Sequence, residues 1–241
     1  MRNLPKINEK YWLSLAWVSI FGTNTGDFVA RYMHMGHLSG LPYMALIFAA
    51  ILLLERQTRG SVMYFWLALV TMRTAATNVG DAFHDFGIDL AYAVLISFVL
   101  FAISVLVYKR RAGAGKSYEG TVRVDSVYWV CMMLAGILGT VGGDFASFRV
   151  GLTPPGATVV FAMLMVASIF WFGRKGNLLD PVPYWLTVAL ARTGGTAAGD
   201  ALAHALKLPL STALTGLGFV GLVIYFYGWQ STNEAKMAAR S

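Results

Sequence analysis

Apolar stretches about 20 residues long alternate with short polar breaks along most of the chain. They predict helices at roughly 10–30, 38–55, 63–84, 89–108, 126–147, 156–173, 183–204 and 209–229. At a rise of ~1.5 Å per residue, each is long enough for a ~30 Å hydrocarbon core. Pro183 falls at a helix start and Pro209 in a turn, where proline is tolerated.

Self-comparison finds the same unit four times. The copies begin at Tyr11-Trp12, Phe65-Trp66, Tyr128-Trp129 and Tyr184-Trp185. They end at Gly22-Thr23-Asn24-Thr25-Gly26-Asp27, Ala76-Thr77-Asn78-Val79-Gly80-Asp81, Gly139-Thr140-Val141-Gly142-Gly143-Asp144 and Gly195-Thr196-Ala197-Ala198-Gly199-Asp200. The Trp-to-Asp spacing is 15 in each. Copies one and three continue Gly-Asp-Phe. Copies two and four continue Gly-Asp-Ala and carry Arg73 and Arg192 four residues before the Thr. Two successive duplications explain both the fourfold pattern and the two kinds of copy. The expected architecture is all-α: eight transmembrane helices from four two-helix repeats. Residues 1–117 form one half and 118–241 the other, together making one membrane domain.

Composition supports lipid as the solvent. Only 13% of the 241 residues are charged and 57% are hydrophobic, against about 25% charged in soluble domains. The formal charge of +7 would suit nucleic acid, but its distribution argues otherwise. With the N-terminus on one side, that side holds 14 of the 19 basic residues: Arg2, Lys6, Lys10, Arg56, Arg59, Lys109, Arg110, Arg111, Lys116, Arg123, Arg174, Lys175, Lys236 and Arg240. The other side holds Arg31, Arg149 and Lys207, and Arg73 and Arg192 lie within helices. The positive-inside rule then puts both termini in the cytoplasm, with the lipid bilayer and not nucleic acid as partner. The basic, then apolar N-terminus resembles a signal peptide, but its apolar run holds the first repeat copy, so cleavage is not expected. Ala114-Gly115-Lys116-Ser117 resembles the end of a phosphate loop, yet Arg110 stands where the first glycine is needed. The lone Cys131 lies in an apolar run and reads as packing.

The aromatic-Trp start, the Gly-Asp ending and the four tandem helix pairs resemble bacterial membrane proteins assigned to a repeat of unknown function. The resemblance spans about residues 10–230 and implies eight helices in the bacterial inner membrane. It brings no activity with it, so the residues must supply one.

In Gly-Thr-x-x-Gly-Asp, small residues four apart make a close-packing stripe. Thr and Asp, also four apart, make a polar stripe rotated ~100° from it. Four such helices packed through their glycines would bring Thr23, Thr77, Thr140 and Thr196 and Asp27, Asp81, Asp144 and Asp200 toward one interior. The tryptophans are expected to anchor the membrane interface. A carboxylate in a membrane helix is costly and points to function. The bland alternative is that each Asp caps a neighbouring helix or pairs with arginine for assembly. Arg73 and Arg192 are read as charge-compensating, through pairing with an acid of another copy. Four Asp and two Arg leave a formal charge of −2, which a divalent cation or two protons would offset. Carboxylate and Thr oxygens suit Mn²⁺, Mg²⁺ or Ca²⁺. His34, His37, His84 and His204 fall on the outer side, with Asp85 and Asp89 nearby, as a candidate outer metal vestibule.

The expected function is transport of a small cation, a divalent metal in the first place, in exchange with protons. No cofactor is expected to be required, and a divalent cation is the candidate bound ion. A cation channel with an acidic ring is the nearest alternative. A membrane enzyme or sensor handling a lipid, quinone or haem is the rival from another class. Against it stand the lack of an HExxH or Gly-x-Ser-x-Gly motif and of paired intrahelical histidines.

Overall fold

Equivalent copies start their helices in the same way. Asn8 accepts a hydrogen bond from the Tyr11 backbone N–H at 3.2 Å, and Asp125 accepts one from Tyr128 N–H at 3.0 Å. Ser61 does this for Met63 N–H, while Pro181 opens the fourth copy, where a missing N–H costs nothing. The computed structural model describes residues 4–58, 61–112 and 120–228. Those residues form eight α-helices: α1 (Glu9–Asp27), α2 (Leu41–Gln57), α3 (Val62–Asp85), α4 (Leu90–Ala112), α5 (Ser126–Asp144), α6 (Thr153–Arg174), α7 (Pro181–Leu206) and α8 (Leu208–Val223). The expected elements are therefore present, with ends shifted by a few residues. Pro209 lies in the first turn of α8 and not in a turn between helices.

The two kinds of copy differ in shape. After Asp27 and Asp144 the helix widens into a π turn, Phe28–Tyr32 and Phe145–Arg149. These are the Gly-Asp-Phe copies. In the Gly-Asp-Ala copies the α-helix runs on past the Asp, to Asp85 and Leu206. A third π turn, Ile224–Gly228, closes α8.

The odd-numbered helices form a ring in the order α1, α3, α5, α7, with α7 closing against α1. Each even-numbered helix lies outside, mainly against the inner helix of the next pair: α2 on α3, α4 on α5, α6 on α7 and α8 on α1. The glycine stripe makes the ring tight. A Cβ on Gly26 would stand 2.7 Å from Thr77 Cβ, on Gly80 2.8 Å from Thr140 Cβ, on Gly143 2.9 Å from Thr196 Cβ, and on Gly199 3.1 Å from Thr23 Cβ. Each copy thus offers its second glycine to the threonine of the next, four times around.

Exposed apolar and buried charged side chains are compatible with a lipid surrounding. Leu217 on α8 is 71% exposed and Phe170 on α6 is 67% exposed, while Arg73 and Arg192 are buried. Among the described residues, four stretches are long and apolar enough to cross a bilayer: Leu90–Arg111, Ser126–Arg149, Thr153–Arg174 and Leu208–Gly228. The boundary at residues 117 and 118, the Ala114–Ser117 stretch and Arg2, Arg59, Lys116, Lys236 and Arg240 lie outside the described residues.

Candidate functional site

The axis of the inner ring is built in levels. At the end where the inner helices begin, Tyr11, Phe65, Tyr128 and Tyr184 meet. Tyr11 and Tyr184 hydroxyls are 2.6 Å apart, and Tyr128 and Tyr184 hydroxyls 3.1 Å. The tryptophans surround them. Trp66 packs on Tyr11, Trp129 on Phe65, Trp185 on Tyr128 and Trp12 on Tyr184, with ring centres 5.2–6.1 Å apart. Outer helices cover this collar through Phe48 on Trp129, Tyr108 on Trp185 and Tyr227 on Trp66. All four tryptophans are buried. The interface-anchor expectation is thus corrected, because covering by the outer helices turns the tryptophans into core.

One level further along the axis lie the two arginines. Arg192 Nη1 donates to Ser19 Oγ at 3.3 Å, and Nη2 approaches Met132 Sδ at 3.0 Å. Arg73 reaches the other way. Its Nη1 donates to Gly136 O (3.1 Å) and Thr140 Oγ1 (2.9 Å), and its Nη2 to Thr23 Oγ1 (2.6 Å) and Thr196 Oγ1 (2.5 Å). Neither arginine forms an ion pair with a carboxylate among the described residues, so the direct pairing expected with an acid of another copy is not made. The eight-residue separation along the helix leaves each guanidinium nearer to the hydroxyl level than to the acids.

The threonine hydroxyls share one orientation. Thr23 donates to Ser19 O, Thr77 to Arg73 O, Thr140 to Gly136 O and Thr196 to Arg192 O, each to its own helix one turn back. A hydroxyl has one proton. With that proton committed, all four present lone pairs to the axis.

Above the threonines opens a cavity of about 1120 Å³. Its walls include all four threonines, Asp27, Asp81, Asp144 and Asp200, so the two polar stripes do converge. His37, His84, His204, Asp85 and Asp89 also line it, whereas His34 does not. Phe83, Ile88, Leu90, Phe148, Pro154 and Leu208 give it apolar wall. Arg31 and Arg149, placed by the sequence only on the outer side, supply counter-charges here. Arg31 Nη2 lies 3.3 Å from Asp27 and 3.8 Å from Asp81. Arg149 bonds Asp89 at 2.5 Å, and His37 Nδ1 meets Asp85 at 2.6 Å. The signal was present: Arg31 follows Asp27 by one helical turn, and Arg149 ends the equivalent π turn of copy three. Asp144 and Asp200 have no ion-pair partner among the described residues. Nor do any three His, Cys, Asp or Glu side chains among them converge as a metal site would need. Asp27 and Asp81 share Arg31 between them.

Together these levels define an all-α helical bundle compatible with a bilayer, with an acid-lined vestibule over an axis filled by arginine and aromatic side chains. Residues 127–176 match the family model described as Repeat of Unknown Function (DUF347). That stretch runs from the start of α5 through α6, the third helix pair. No curated protein and no solved structure gives a significant match.

Proposed function

We propose that this is an eight-span membrane protein that transports a small cation, entering through the acid-lined vestibule, in exchange with protons. One observation carries this reading: the Asp and Thr of all four copies line a single cavity. The inner helices also point their C-terminal ends at it, adding negative dipole potential to the carboxylates. The basic bias puts both termini in the cytoplasm and the vestibule outside. A carrier is favoured over an open channel, because Arg73, Arg192 and the tyrosine cluster fill the axis below the threonines. A bare divalent metal is no longer the favoured cargo, since no three ligating groups converge among the described residues.

The test is flux into proteoliposomes, run with Mg²⁺, Mn²⁺, K⁺ and ammonium separately. Saturable uptake that falls as external pH drops is expected, because protons compete for the same carboxylates. Asp144→Asn and Asp200→Asn should each reduce it at least about tenfold with the fold intact, as the amide keeps shape and loses charge. Uptake by neither wild type nor variants would end the transport reading.

A further inference from the structure

The four threonines form a site for a positively charged N–H donor, and we infer that ammonium, guanidinium or a small amine is the ligand class it takes, with Arg73 as its tethered occupant. This rests on the vestibule being a cation entrance, and it adds what kind of cation.

Three observations meet here. First, the hydroxyls are turned into acceptors, since each has given its proton to its own helix. Such a ring accepts donors and repels anions and other acceptors. Second, a guanidinium already sits in it, with N···O distances of 2.5–2.9 Å to Thr23, Thr140 and Thr196. Those contacts are short, as hydrogen bonds from a cationic donor are. Thr77 is the one ring member that Arg73's side chain does not engage, so one acceptor remains open. Third, the same four threonines form part of the cavity wall, directly within reach of a solute in the vestibule. A bare metal would need oxygens gathered at ~2–2.6 Å, whereas an N–H cation is satisfied by acceptors near 2.8 Å arranged around it.

Arg73 holds the ring through side-chain hydrogen bonds that a solute N–H cation can also make. Arg73 has an equivalent, Arg192, four residues before its own copy's Thr. Arg192 makes no bond to the ring and turns toward Ser19 and Met132 instead. By the repeat spacing, the places of Ser19 and Met132 are taken for Arg73 by Gly136 and Leu15, so Arg73 lacks the side-chain acceptors that hold Arg192 away from the ring. A solute cation enters the ring by taking over hydrogen bonds from Arg73, and the Arg73→Ala variant presents the ring empty.

The experiment uses the full-length protein purified in detergent. Guanidinium chloride and methylammonium chloride are titrated at millimolar concentration by calorimetry, with NaCl and MgCl₂ at matched ionic strength as controls. Wild type should bind guanidinium saturably. Arg73→Ala should bind it about tenfold more tightly or better, because an internal competitor lowers apparent affinity by the fraction of time it occupies the site. Thr23→Val and Thr196→Val should weaken binding in either background. An arginine with a purely structural role predicts the opposite pattern: guanidinium restores the stability of Arg73→Ala but does not bind wild type. That result overturns the inference, as does equal competition by Na⁺ or Mg²⁺. If Arg73→Ala fails to fold, binding to wild type and to Thr196→Val decides alone. Binding without flux defeats only the transport reading. Flux of other cations with no guanidinium or methylammonium binding defeats only this inference.

Discussion

At the scale of single residues, the tryptophans teach the most. From the sequence they are amphipathic rings at helix ends, where membrane proteins place anchors. In the fold each is buried, three of them beneath an aromatic ring of an outer helix, and Trp185 is fully buried among Tyr128, Phe101 and Tyr108. Trp185→Ala should therefore cost about 3–5 kcal/mol, as for a large core side chain. Trp171→Ala should cost far less, because Trp171 is exposed and touches Lys175. Thermal melts of the two variants in the same detergent check this, and equal losses would restore the anchor role. The arginines carry the same lesson. Their spacing from Thr and Asp was legible, but which way each guanidinium turns depends on Ser19, Gly136 and Met132 across the ring. Those neighbours belong to other copies, and no periodicity within one helix names them.

At the scale of helices, the glycine stripe was legible because small residues four apart mean close approach in lipid whatever the partner is. Its partner was not. Packing of the second glycine on the next copy's threonine requires knowing the ring order, which the sequence does not contain. The order makes a graded prediction. Gly195→Ala would put a Cβ 2.2 Å from Ser19 Cβ and 3.0 Å from its backbone carbon, so the helices must separate. Gly173→Ala meets nothing within 4 Å, and an alanine there favours the helix by about 1 kcal/mol. Gly195→Ala should therefore lower the melting temperature by several degrees and Gly173→Ala should leave it unchanged or raise it. Two of the three π turns follow the Gly-Asp-Phe motifs, a division visible in the sequence, although the widening itself was not foreseen. They place Arg31 and Arg149 over the vestibule, where those arginines meet Asp27, Asp81 and Asp89.

At the scale of the whole molecule, eight helices and their approximate limits could be read because long apolar runs bounded by polar breaks are a strong helix signal. The orientation remains a matter of charge bias, and it gives a labelling test. A cysteine at Ser39, exposed between α1 and α2, should react with an impermeant thiol reagent added outside intact cells. A cysteine at Thr58, exposed beyond α2, should not. Native Cys131 is buried and stays silent. The reverse pattern would invert the molecule and turn the vestibule toward the cytoplasm.

The axis holds one guanidinium among the threonines and another turned toward the tyrosines, although both come from the same position of the repeat. Four identical helix pairs assembled as separate chains could not make this arrangement. Symmetry would put either four arginines at that level or none. Two identical halves would still place like charges face to face on a twofold axis. Joining the copies in one polypeptide lets their sequences diverge, as Gly136 and Ser19 have at equivalent positions. Covalent linkage of the repeats is thus what allows a nearly symmetric ring to have an asymmetric interior. A dimer built from two copies of the first half, both bearing Arg73, should assemble poorly even though every helix contact around the rim is kept.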